Sequence, residues 1–204
     1  MLATHLKRSG EHFSIFRRKM KALIVVDMQN DFIDGALGTK EAQSIVDGVV
    51  ERIAKSKDEL ILFTLDTHQD DYLETTEGKK LPVVHCIEGS PGWEINASIL
   101  DAWKQNTDTI KAADTNTMVN NTFLKPVFGS TDLVDYLVSR ADDIDEVEII
   151  GVCTDICVVS NAIMIKNTLP DMPIVVNSAL CAGVTTQSHT EALNTMKMCH
   201  IDVV

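Results

Sequence analysis

Short apolar runs alternate with amphipathic stretches along most of the chain. Lys21 to Val26 is a β-branched run ending at Asp27; after the polar loop DFIDGALG, the segment Ala42 to Lys55 sets Ile45, Val46, Val49, Val50 and Ile53 on one helical stripe. Glu59 to Leu65 reads as a second buried strand. The stretch from Asp66 to Pro91 is polar and broken by Gly78, Pro82, Gly89 and Pro91, which predicts a long loop, and loops of that length in compact domains commonly carry function. Ile95 to Trp103 predicts a helix, and Thr109 to Ala112 and Met118 to Phe123 predict short strands. Ser130 is placed to cap a helix running to Arg140, with Asp132 in its first turn. A strand over Val147 to Val152, a helix over Cys157 to Asn167, a strand over Ile174 to Val176 and a helix over Gln187 to Met198 complete the pattern. The acidic cluster Asp142, Asp143, Asp145 and Glu146 reads as a solvated turn.

Strands that alternate with helices imply a three-layer α/β/α domain around a mainly parallel sheet, whose ligands sit at the carboxyl ends of the strands. That rule selects residues. Asp27 ends the first strand, Asp66 and His68 follow the second, and Cys153 to Cys157 follow the strand at 147 to 152.

The formal charge of −12 over 204 residues opposes binding to nucleic acid or to anionic membrane surfaces. No apolar run reaches the length of a membrane span. Five cysteines, at 86, 153, 157, 181 and 199, are an odd number without paired spacings, which fits a reducing cytoplasm. Residues 1–19 stand apart, with Lys7, Arg8, Arg17, Arg18 and Lys19 against one acid, Glu11. They lack the apolar segment of a secretory signal, and although a transit peptide is one reading, the preferred one is a frayed or non-native extension before a single domain at 20–204 that starts at Met20.

Cys157 falls at the start of a predicted helix, where unpaired N–H groups and the positive dipole end favour a thiolate. A small buried hydrophobe among Ile156, Val158 and Val159 is an equally good account of that segment alone. A nucleophilic thiol also needs a base for its proton and a cation for its charge. Taken singly, Asp27 reads as a carboxylate ending a strand and Lys125 as a surface base. Asp66, His68 and His85 offer one carboxylate and two imidazoles, donor types that zinc accepts, though D-x-H by itself is a weak signal. His189 and His200 read as structural or exposed, and Cys86, Cys181 and Cys199 as packing residues.

The segments VVDMQNDF at 25–32, DTH at 66–68, HC at 85–86, KPVFGS at 125–130 and GVCTDICV at 151–158, in this order, resemble the nicotinamidase and isochorismatase-like cysteine hydrolases. The resemblance runs from Met20 to the C-terminus and implies the isochorismatase-like hydrolase fold. It implies that Asp27, Lys125 and Cys157 are a catalytic triad, with Asp27 accepting the thiol proton and Lys125 drawing the thiol pKa down. It places a cis peptide at Val152–Cys153 and an oxyanion site at the backbone N–H groups of Cys153 and Cys157. It assigns a divalent metal, zinc or else iron or manganese, to Asp66, His68 and His85, with no organic cofactor, and implies a homo-oligomer. The implied reaction cleaves a small carboxamide to its acid and ammonia through a cysteine thioester, with nicotinamide as the leading substrate.

Departures from the family pattern bear on the substrate. Thr67 stands where these enzymes usually carry Trp, Leu81 where they carry an aromatic before the later His, and the loop has Gln69 to Tyr72 in place of a further His. Phe32, Tyr72 and Phe128 are left to wall the pocket, and the insertion ETTEGKKLPVV at 74–84 adds charge near its entrance. A different small amide or ureido compound, an isochorismatase-like reaction and a catalytically silent ligand-binding protein are the competing readings.

Overall fold

A computed structural model describes residues 19–108 and 121–204. Six parallel strands form one sheet in the order β3-β2-β1-β4-β5-β6: β1 is Met20–Val26, β2 Leu60–Asp66, β3 Thr122–Lys125, β4 Ile144–Val152, β5 Ile174–Ala182 and β6 Asp202–Val203. The helices are α1 (Asn30–Ile33), α2 (Lys40–Lys55), α3 (Thr76–Lys80), α4 (Ala97–Asp108), α5 (Thr131–Ser139), α6 (Val159–Thr168) and α7 (Thr186–Met198). No helix among the described residues is long and apolar enough to cross a membrane.

Period-two alternation in β1 divides the core. Ala22, Ile24 and Val26 pack with Leu133, Leu137, Ala162, Ile165 and Met196 of α5, α6 and α7, whereas Leu23 and Val25 pack with Val49, Ile53 and Ile99 of α2 and α4. β1 is therefore covered on both faces, which is why it reads as an unbroken apolar run. Thr39 caps α2 by accepting from the Ala42 N–H, and Ser130 caps α5 by accepting from the Leu133 N–H, as its sequence position predicts.

Several boundaries differ from the sequence pattern, each for a physical reason. β4 starts at Ile144, and Asp143 beside it is buried, bound by Arg140, and accepts the Met20 N–H on its carbonyl. The acidic cluster is thus in part a strand start and not wholly a solvated turn. β5 continues past Val176 because Asn177 donates to Glu148 and Ser178 to the Val204 carbonyl, so polar residues are satisfied inside the sheet. The two-residue β6 is too short to leave a periodic signal. The predicted loop after β2 holds a one-turn 3-10 helix at Tyr72–Glu74 and then α3, and the loop after β1 holds α1. Cys199 is exposed and does not pack, while Cys86 and Cys181 are buried as expected. The strand expected at Thr109 to Ala112 and the extension up to Arg18 lie outside the described residues; of the strand expected at Met118 to Phe123, Thr122 and Phe123 fall in β3.

Candidate active site

Four adjacent strands each deliver one chemical group at their carboxyl ends. Lys125 is the last residue of β3, Asp66 the last of β2, Asp27 follows β1, and Cys157 lies in the single π-helical turn Thr154–Val158 that joins β4 to α6. Asp66 and Lys125 are register partners across β2 and β3, so their side chains leave the sheet together. β1 and β4 approach closely here because position 151 is glycine. Its φ is +116°, and a Cβ would collide with the Val26 carbonyl oxygen. Asp27 itself sits at φ +48°, in the left-handed region that Asp tolerates better than most residues.

The buried Lys125 ammonium lies 2.7 Å from Asp27 Oδ2, 3.3 Å from Asp66 Oδ1 and 3.5 Å from Cys157 Sγ. Thr64 donates to Asp27 Oδ1 at 2.7 Å, fixing the carboxylate so that its second oxygen faces the lysine. Burial pushes Asp27 above its ordinary range, with Lys125 offsetting part of the rise. Burial alone would discharge Lys125, but the negative charge of Asp27 and Asp66 beside it raises its pKa and keeps it an ammonium. Burial, followed by the Asp27 charge, pushes the Cys157 thiol well up, and Lys125 only reduces the effect. Lys125 does draw the thiol pKa down, as expected, but the net direction is upward: a thiolate without water costs more than one lysine shared with two carboxylates returns.

Asp66 joins this group to a second one. Its Oδ2 lies 3.0 Å from His68 Nε2 and 3.4 Å from His85 Nε2, and the three ligand atoms lie within 4.8 Å of one another. His85 Nδ1 donates to the Val83 carbonyl at 2.8 Å, which turns Nε2 toward Asp66. Despite burial, hydrogen bonds from both imidazoles and the Lys125 charge hold Asp66 below the carboxylate range; burial opposes a charged His85, and its bond to Asp66 more than compensates, raising its pKa. One carboxylate and two nitrogens converging with a fixed tautomer fit a divalent metal.

Residues that sequence reasoning missed hold these groups in place. Gln29, fully buried, donates to the Asp66 and Trp93 carbonyls at 2.9 and 2.8 Å and accepts the Asp66 N–H at 2.8 Å. Asp31 Oδ2 accepts the Cys86 N–H at 2.7 Å, fixing the chain beside His85. Asn161 donates to the Cys157 and Phe128 carbonyls and accepts the Ser130 N–H, tying α6 to the segment after Lys125. Glu77 of the insertion comes to 4.0 Å from His68 Nε2, a fourth side chain and a second carboxylate beside the group. Gln29 and Asp31 both fall within VVDMQNDF, a signal that could have drawn attention to them.

The Val152–Cys153 peptide is cis. Cys153 packs against the α2 side of the core, and burial raises its thiol to about 12. A cavity of about 610 Å³ lies beside the site, lined by His68, Ile156, Tyr72 and Phe128 together with Thr75, Glu77 and Lys80 of the insertion. Phe32 is not among its lining residues; it packs edge-on against the His85 ring, with centroids 5.5 Å apart, because α1 turns it into the core. His189 shares a hydrogen bond of 2.8 Å with Thr154, and His200 is exposed.

An Isochorismatase domain family model matches residues 21–204. The chain belongs to the isochorismatase family. Within it, this isochorismatase-family chain is 28% identical over 194 residues to a nicotinamidase/pyrazinamidase of Mycobacterium tuberculosis, covering 91% of this chain and 98% of the relative. It is also 28% identical over 213 residues to a nicotinamidase of Schizosaccharomyces pombe, covering 90% and 92% of the two chains. Among solved structures, the pyrazinamidase/nicotinamidase of Streptococcus mutans superimposes with a TM-score of 0.73 at 28% identity, covering 90% of this chain and 99% of that one. The pyrazinamidase of Pyrococcus horikoshii in complex with zinc gives a TM-score of 0.68 at 27% identity, with coverage of 90% and 98%. The isochorismatase-family sheet and its flanking helices are thus shared along nearly the whole length of these enzymes.

Proposed function

We propose that this chain is a cysteine amidohydrolase that converts nicotinamide to nicotinate and ammonia. The observation that carries the reading is the buried ammonium of Lys125 between Asp27 and the Cys157 thiol, at the carboxyl edge of a sheet shared with nicotinamidases.

Because the resting sulfur is held as a thiol, its proton passes to Asp27 Oδ2 as sulfur bonds to the amide carbon. Lys125 stays charged throughout and balances whichever of Asp27 and Cys157 bears the negative charge. The oxyanion that forms is met by the backbone N–H groups of Cys153 and Cys157. Collapse breaks the C–N bond, the nitrogen takes the proton from Asp27, and ammonia leaves behind an acyl thioester. Water then attacks the thioester carbon, giving a proton to Asp27 and from there to the departing sulfur, and nicotinate is released.

Asp66, His68 and His85 would hold a divalent metal, with Glu77 within reach, and zinc is favoured by the zinc complex of the Pyrococcus horikoshii relative. When bound, such an ion supplies a Lewis-acidic anchor for a ring nitrogen. Tyr72 and Phe128 supply the aromatic walls of the cavity. Purified protein incubated with nicotinamide should yield nicotinate and ammonia in equal amounts, measured by chromatography and an ammonia assay. Absence of ammonia from nicotinamide, pyrazinamide and a panel of other small amides would overturn the reading.

A further inference from the structure

The cavity beside the site, lined by His68 and by Ile156 next to Cys157, is larger than a single pyridine ring with one carboxamide requires; about 610 Å³ lies in the range of pockets that enclose drug-sized ligands. Its outer part is walled by apolar side chains from two distant segments. Leu81 of the insertion, 37% exposed, faces the same space as Val127 and Phe128, 55% and 45% exposed, from the turn after β3. These are large hydrophobic groups left partly in water, and covering them is favourable. The charged residues there, Asp71, Glu77 and Lys80, are of mixed sign and give no consistent attraction for an ion.

The wall is built rather than loose. Tyr72 donates its hydroxyl to the Leu81 carbonyl at 3.0 Å, Thr75 donates to the Tyr72 carbonyl and accepts the Gly78 N–H, and Gly78 packs so closely on Tyr72 that a Cβ there would strike the Tyr72 carbonyl oxygen. The insertion therefore presents Leu81 at a fixed place opposite Val127.

We infer that the preferred substrates are heteroaromatic carboxamides bearing an apolar substituent on the ring, which Leu81, Val127 and Phe128 cover while the carboxamide meets Cys157. The inference rests on the amidohydrolase reading and narrows its substrate class. Each methylene moved out of water contributes about fourfold to binding, so the two carbons of an ethyl group covered in this space should contribute roughly 10- to 20-fold.

The test compares kcat/KM for nicotinamide with that for nicotinamides ethylated at each free ring carbon in turn, using the full chain and its Val127→Ser variant. At least one ethyl isomer should exceed nicotinamide by roughly 10- to 20-fold, and V127S should cut that advantage severalfold. Calorimetric binding of the same amides to Cys157→Ala protein reads the cavity without turnover, and the same isomer should bind more tightly than nicotinamide. If nicotinamide is hydrolysed and no ethyl isomer is better in either measurement, the inference falls and the amidohydrolase reading stands. If nothing is hydrolysed, the amidohydrolase reading falls, and tighter binding of an ethyl isomer would still support the apolar subsite.

Discussion

At the scale of single residues, the site works through a conflict between burial and charge. Asp27, Lys125 and Cys157 are all withdrawn from water, and one ammonium beside a negative charge that passes between Asp27 and Cys157 leaves no charge among the three uncompensated. Asp27 must be ionised to accept the thiol proton, and burial raises its pKa above the ordinary 3.8. The acid form therefore persists to higher pH than in a free carboxylate. The kcat/KM profile should accordingly lose activity as pH falls, with a midpoint above 3.8, and Asp27→Asn should remove nearly all turnover at every pH. At the neighbouring group, His85 offers a single nitrogen whose partner nitrogen is already committed to Val83. His85→Ala should lower bound divalent metal, measured by elemental analysis of protein purified without chelators, while the parent retains it.

At the scale of elements, the ends of strands carry the function and the polar residues between them carry the precision. Gln29 links the loop after β1 to the last residue of β2 by two buried hydrogen bonds and to the Trp93 carbonyl by a third. Gln29→Ala leaves an N–H and two carbonyls without those partners and should cost about 2–4 kcal/mol. Thermal unfolding should show it as a Tm lowered by roughly 5–15 °C. The sequence made the strands legible where they are buried on both faces, as in β1, and it made the strand-end carboxylates legible because Asp27 and Asp66 interrupt apolar runs. It hid β6, the later half of β5 and the start of β4, since these are held by partners distant in sequence and not by periodicity. Gln29 escaped notice for the same reason, as nothing local announces that an amide will bond backbone 37 positions away.

At the scale of the whole molecule, the parallel sheet converts sequence distance into adjacency: residues 27, 66, 125 and 157 meet because β3, β2, β1 and β4 lie side by side. No property of the segments around Lys125 reveals that the lysine is buried; only the assembled sheet does, and resemblance to a family supplied the pairing that local pattern lacked. The thiol's state was not legible at all, because its pKa depends on how completely the assembled layers exclude water. The net charge of −12 is compatible with a neutral amide and opposes a dianion such as isochorismate. The account as a whole turns on Cys157 sulfur attacking the amide carbon, and the most direct test is the rate of nicotinate formation from nicotinamide by Cys157→Ala relative to the parent. A rate below about one-thousandth of the parent's is the predicted result; an undiminished rate would contradict it.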